Sequence, residues 1–94
     1  MQTELFNQEE DTPILNVSDV TREVRKTLEH KFSQIWIRGE ISNLRSHSSG
    51  HFYFILKDSK SQLKAVLFRG DAMGLSYMPK DGDECLVFGD ITVY

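Results

Sequence analysis

Cysteine occurs once in the chain, at Cys85, so no internal disulfide can staple the fold. A single thiol inside an apolar run reads as a buried side chain in a reducing compartment, and without a second cysteine there is no zinc motif to build. No apolar run approaches the ~20 residues that a membrane span needs, and no signal-peptide pattern precedes the first predicted helix. Paired catalytic groups are absent as well. Ser48 and Ser49 have no matching base, and Glu40 and Asp58 each stand alone among cations. His47 and His51 are four apart, a spacing that joins metal ligands on a helix, but here they lie in a Ser-Ser-Gly loop entering a strand. No glycine-rich loop follows a strand and opens a helix. The residues therefore assign no catalytic group, no metal site and no cofactor.

What is present is one small domain's worth of chain, 94 residues of which 39% are hydrophobic, enough for a modest core. The net charge of −3 conceals a segregation. Residues 1–13 carry Glu4, Glu9, Glu10 and Asp11 and no base, and residues 14–30 are balanced. Residues 31–69 hold Lys31, Arg38, Arg45, Lys57, Lys60, Lys64 and Arg69 against Glu40 and Asp58, an excess of +5. Residues 70–94 return to −4. A basic middle third inside an acidic chain attracts a polyanion locally, whatever the net charge; the plain alternative is a solvated surface with clustered charge.

The organising stretch is Ile35 to Lys57, IWIRGEISNLRSHSSGHFYFILK. Two alternating runs flank a polar stretch ending in Gly50, the pattern of a β-hairpin with a long connecting loop. Ile35, Ile37, Gly39 and Ile41 share one face of the first run, and Trp36, Arg38, Glu40 and Ser42 the other. In the second, Phe52, Phe54 and Leu56 alternate with His51, Tyr53, Ile55 and Lys57. Gly39 in mid-strand suggests a bend or bulge. Ahead of this lies an acidic leader, 1–13, read as disordered. A helix over 17–31 follows, with Val17, Val20, Val24 and Leu28 in one stripe, Asn16 as cap and Asp19 in the first turn. That stripe is expected to dock on the end of the domain that follows. Strands are predicted over 33–44, 51–57, 62–69 and 84–94, with a weak helical link over 70–77 and a turn at Pro79–Asp83. The inward parity of the third strand is ambiguous, and a bulge there is expected.

A helix, three meandering strands, a short link and more strand is the element order of an OB-fold, a five-stranded Greek-key barrel. It binds oligonucleotides on strands two and three and in the loop between strands one and two. Residues 14–94 are read as this domain, mainly β with an N-terminal helix, with four strands visible and the fifth missing. The basic excess falls on the binding elements. Single-stranded nucleic acid needs cations for phosphates and flat side chains for bases. The expected contact set is Trp36, Arg38, Arg45, His47, His51, Tyr53, Lys57 and Lys64, with Phe68 as a further stacking residue. For Trp36 and Tyr53 the alternative is burial, Trp36 under the helix.

The blocks IWIRGEISN, SSGHFYFILKD, LFRG and PKDGD, in that order and after VSDVTREVRKTLEH, resemble the N-terminal domain of the exonuclease VII large subunit over residues 14–94. Phe52 stands where that family is expected to carry Trp, and Ile55 where it carries Thr. The resemblance implies a cytoplasmic bacterial enzyme that degrades single-stranded DNA to oligonucleotides from both ends, without an absolute need for a divalent metal. It implies a small-subunit partner held by regions absent here. It also makes this segment a non-catalytic, DNA-binding fragment. Two other readings are an interaction module docking on the rest of its enzyme through Trp36 and Tyr53, and a tRNA anticodon-binding domain. With the fifth strand missing, strand one or strand four is expected to keep an open edge through which the fragment self-associates.

Overall fold

The computed structural model describes residues 12–93; the acidic leader, apart from Thr12 and Pro13, lies outside the described residues. The described chain forms two units. The first runs to Ser33 and includes residues 90–93. The second, Gln34–Gly89, carries the sheet.

In the first unit, α1 spans Val17–Lys31. Asp19 closes its start: its carboxylate accepts from the Asn16 backbone N–H at 3.1 Å and from Arg22 at 3.1 Å. Val20 and Val24 are exposed and Leu28 is half-buried. The Ile91 N–H donates to the Phe32 carbonyl at 2.9 Å.

In the second unit, β1 (Ile35–Ser46), β2 (Phe52–Lys57), β3 (Gln62–Leu67) and β4 (Glu84–Gly89) form one antiparallel sheet in the order β3-β2-β1-β4. A short helix, α2, covers Arg69–Met73. This is an OB-fold domain with its sheet unclosed. Strand one lies inside the sheet but pairs with β4 over Ile35–Glu40 and with β2 over Glu40–Ser46, so residues 35–39 have no sheet partner on the β2 side, and β3 and β4 are the outer strands. Period-2 alternation places Ile37, Ile41, Phe54, Leu56, Ala65, Leu67, Cys85 and Val87 on the inward face. Ile41, 2% exposed, is the centre of a core completed by Phe54 and Leu56. Burial of Cys85 pushes its thiol above the ordinary value.

Three boundaries depart from expectation. β1 continues through the polar stretch to Ser46, so the hairpin loop is short. The His47 N–H donates to the His51 carbonyl at 2.9 Å, and Gly50, at φ 88°, donates back to His47. β3 pairs with β2 in unbroken register from Gln62 to Leu67, with Leu63, Ala65 and Leu67 on the inward side, so it carries no bulge. β4 ends at Gly89, and residues 90–93 are not strand.

The bulge sits in β1 instead, between Ser42 and Arg45, while Gly39 keeps regular pairing with Cys85. Asn43, at φ 54°, is the inserted residue. The Leu44 N–H donates to the Asp81 carboxylate at 2.8 Å. Gly82 and Asp83 exchange backbone hydrogen bonds with Ile41, each at 2.8 Å. The turn before β4 is thereby tied across β1. Asp83 holds the turn together, accepting from the Lys80 N–H at 2.9 Å and the Tyr77 hydroxyl at 3.0 Å.

Gly39 allows close approach rather than bending. A Cβ there would lie 2.7 Å from Leu56 Cγ and 3.1 Å from the Lys57 carbonyl oxygen. Because Leu56 is buried, Gly39→Ala is expected to cost about 1–3 kcal/mol through overpacking, read as a lower urea midpoint; an unchanged midpoint overturns this account.

Hydrogen bonds from Lys80 and Tyr77 hold the Asp83 carboxyl below its ordinary 3.8. Those from Lys60 and Ser61 do the same for Asp58. A depressed carboxyl contributes stability above its unfolded value and loses it as pH falls through the folded one. Asp83→Asn is thus expected to lower the urea midpoint at pH 7, the gap to wild type closing as pH drops below 3.8. A gap independent of pH contradicts this.

Candidate nucleic-acid interface

The outward face of the sheet is read across the strands from the pairing register. Directly opposed residues share a face with Cβ atoms about 4.5–5.5 Å apart. One row is Arg45–Tyr53–Val66 and the next is Ser42–Ile55–Lys64. Neither row contains a carboxylate. The bulge at Asn43 makes this possible. Without the inserted residue, Arg45 would fall on the inward parity; with it, Leu44 turns in against the core and Arg45 turns out opposite Tyr53.

The β1–β2 loop closes one end of these rows. The His47 ring meets Tyr53 edge-on at 5.5 Å between centroids. His51 faces Phe68 in the same way at 5.4 Å. His51 Nδ1 accepts from the Arg69 backbone N–H at 2.9 Å. Gly50 lies under the Arg69 side chain; a Cβ on Gly50 would come within 2.9 Å of Arg69 Cδ. The loop is thus latched to the β3–α2 junction, 18 residues away in sequence. Arg69 was outside the expected set, although LFRG is one of the blocks that carry the resemblance. Its contribution becomes visible only once the latch places it beside the loop.

Beyond these rows the face changes sign. Glu84, Glu40, Lys57 and Gln62 form the next row across the sheet. Glu40 and Glu84 stand directly opposite each other, a repulsive pairing. Lys57 Nζ reaches Glu40 Oε2 at 3.6 Å. Asp58 follows; its carboxylate accepts from the Lys60 and Ser61 N–H groups at 2.8 Å each, which keeps it ionised. These carboxylates, with Arg38 and Lys57, line a shallow groove. Lys57, expected to contact phosphate, lies in this row beside Glu40.

Past the acidic row lie Trp36 and Arg38. Trp36 is paired with Phe88 and Arg38 with Leu86. The Trp36 and Phe88 rings are 5.0 Å apart and tilted by 48°. Nine positions of β1 separate Trp36 from Arg45, a span of up to about 30 Å at strand rise. The structure therefore brings Arg45, His47, Tyr53 and Lys64 together, uses His51 to hold their loop, and sets Trp36 and Arg38 apart on the far side of carboxylates. Among the described residues no group of three metal-ligating side chains occurs, and no helix is long and apolar enough to cross a membrane.

Residues 15–94 match the family described as OB-fold nucleic acid binding domain. The chain is 47% identical over 81 residues to the exodeoxyribonuclease 7 large subunit of Geobacter metallireducens, covering 86% of this chain and 18% of that protein. The protein of the same name from Halalkalibacterium halodurans is 44% identical over 84 residues, covering 87% and 18%. That from Helicobacter pylori is 48% identical over 82 residues, covering 86% and 20%. The chain thus spans no more than 20% of the length of these relatives.

The latch is testable by amide hydrogen exchange. His51→Ala is expected to speed exchange at Arg69 about 5-fold, the equivalent of one hydrogen bond worth ~1 kcal/mol. In His51→Asn the side-chain oxygen can take the place of Nδ1 and restore protection. Fast exchange at Arg69 in the wild-type chain removes the latch.

Proposed function

We propose, for a chain that belongs to the family of OB-fold nucleic acid binding domains, that it is the single-stranded DNA-binding domain of an exodeoxyribonuclease 7 large subunit. The observation that carries this reading is the pair of acid-free rows with Arg45, Tyr53 and Lys64, closed by His47. Arg45 and Lys64 neutralise phosphates. Tyr53, half-buried with its ring steadied by His47, offers a stacking platform. Ile55 and Val66 give the bases an apolar floor between the cations. Every base has a flat face, so such a surface tolerates any sequence. Arg69, beside the loop, adds a third cation.

In this reading the domain feeds substrate and performs no chemistry, and it needs no cofactor. The relatives' shared name is that of an exodeoxyribonuclease large subunit; hydrolysis of single-stranded DNA from both ends, association with a small subunit and a cytoplasmic setting are assigned to the whole subunit as part of this proposal, on the motif resemblance. An RNA-directed role, as in anticodon recognition, would depend on 2′-hydroxyl contacts; competition between matched DNA and RNA oligomers separates the two.

Fluorescence anisotropy with oligo-dT tests the reading. Binding is expected to weaken as salt rises, because phosphate contacts release counterions. Lys64→Ala is expected to reduce the slope of log affinity against log salt by about 0.7, the share of one single-strand phosphate contact. Tyr53→Ala is expected to cost about 1–3 kcal/mol, the worth of a stacked base, with the slope unchanged. No salt-sensitive binding at low ionic strength defeats the proposal.

A further inference from the structure

Trp36, Leu86 and Phe88 are the least explained side chains of the sheet. They are 68%, 60% and 53% exposed, respectively. They are also neighbours: Trp36 pairs with Phe88, and Leu86 follows one outward position along β4, opposite Arg38. Three large apolar side chains held together on rigid strands, with an arginine at the border, have the composition of a protein-binding hot spot.

Nucleic acid is a poor occupant. A strand running from Tyr53 to Trp36 would cross the Glu84–Glu40 row, with Asp58 at its end. Glu40 is already opposed to Glu84, so a phosphate there adds to an existing repulsion, and Lys57 is shared with Glu40. Leu86 offers neither a charge for a phosphate nor a ring for a base.

We propose that Trp36, Leu86 and Phe88, with Arg38 beside them, are the seat on which the rest of the large-subunit polypeptide docks, through an apolar segment bearing a carboxylate for Arg38. The inference rests on the reading of this chain as a domain of such a subunit. The length of the relatives supports it, since the matched segment is at most 20% of each. The bulk of the polypeptide is therefore tethered to this domain, and a tether raises effective concentration enough for a small apolar patch to suffice. The acidic row then separates two functions, with a polyanion on the β1–β2–β3 half and protein on the β1–β4 half.

The test is oxidative footprinting read residue by residue by mass spectrometry, on the 94-residue chain and on the full-length subunit, each with and without oligo-dT. Trp36 is the single tryptophan of the 94-residue chain, so its signal there is unambiguous. The expected result is at least a 5-fold slower modification of Trp36 and Phe88 in the full-length subunit, with no change on adding oligo-dT to either protein. Leu86→Glu in the full-length subunit is expected to return Trp36 to the rate of the short chain. Three outcomes overturn the proposal: equal rates in the two proteins, protection of Trp36 by oligo-dT, and protection in the short chain that grows with concentration alongside a doubled sedimentation mass, which would make a second copy the occupant. Failure of the short chain to bind oligo-dT would defeat the proposed function but leave the comparison of the two proteins intact.

Discussion

The contact on which the second unit turns is the hydrogen bond from the Leu44 N–H to the Asp81 carboxylate. A bulge leaves a backbone donor without its ladder partner. Asp81 supplies the acceptor from a turn 37 residues away. Two consequences follow from one bond. The bulge is stabilised, so that Leu44 enters the core while Arg45 stays on the outward face. The turn is also fixed over β1, together with the backbone pairing of Gly82 and Asp83 to Ile41, so that β4 starts in register opposite Glu40. The cationic rows and the far strand thus share one anchor, set at the bulge beside Arg45.

β1 is the common axis of the two outward surfaces. It is 12 residues long and pairs with β2 over one half and β4 over the other. Its inward side is one continuous run of Ile37, Gly39, Ile41 and Leu44, whereas its outward side changes character along its length, from Trp36 and Arg38 through Glu40 to Arg45. Because outward residues contribute little to the core, each segment of that face can take its own chemistry while the packing beneath stays the same. The proposed nucleic-acid surface and the proposed docking seat lie on different halves of one strand.

Much of the fold was legible because period-2 alternation is strong in residues 35–41, 52–57 and 84–89, and the element order that follows from it points to the OB-fold. The end of β1 was not legible. Asn43, Arg45 and Ser46 look like loop because the bulge interrupts the alternation and the outward face is polar. The third strand looked ambiguous because Val66, and Phe68 just beyond its end, are apolar at positions of outward parity. The alternation of 90–93 suggested more strand, but the Ile91 N–H is taken by Phe32 instead of a sheet partner. Of the candidate site, residue types were readable and grouping was not. Trp36 and Tyr53 have the same composition-level signal, and only register shows that carboxylates lie between them. Asp81, His51 and Arg69 act through contacts 37 and 18 residues distant, and such distances leave no local pattern.

The order of the strands also has a kinetic side. Arg45 and Tyr53 are 8 residues apart in the chain, whereas Glu40 and Glu84 are 44 apart. Closing the longer loop costs about 1.5 kcal/mol more chain entropy, by the logarithmic dependence on length. Local pairings with low closure cost form ahead of distant ones. The β1–β2–β3 meander with its cationic rows is complete within residues 35–67, so it can assemble while the segment leading to β4 is still open chain. The Trp36 end of β1 pairs only with β4, so on this entropic argument it has no ladder partner until the last strand arrives, and the surface there is expected to form last.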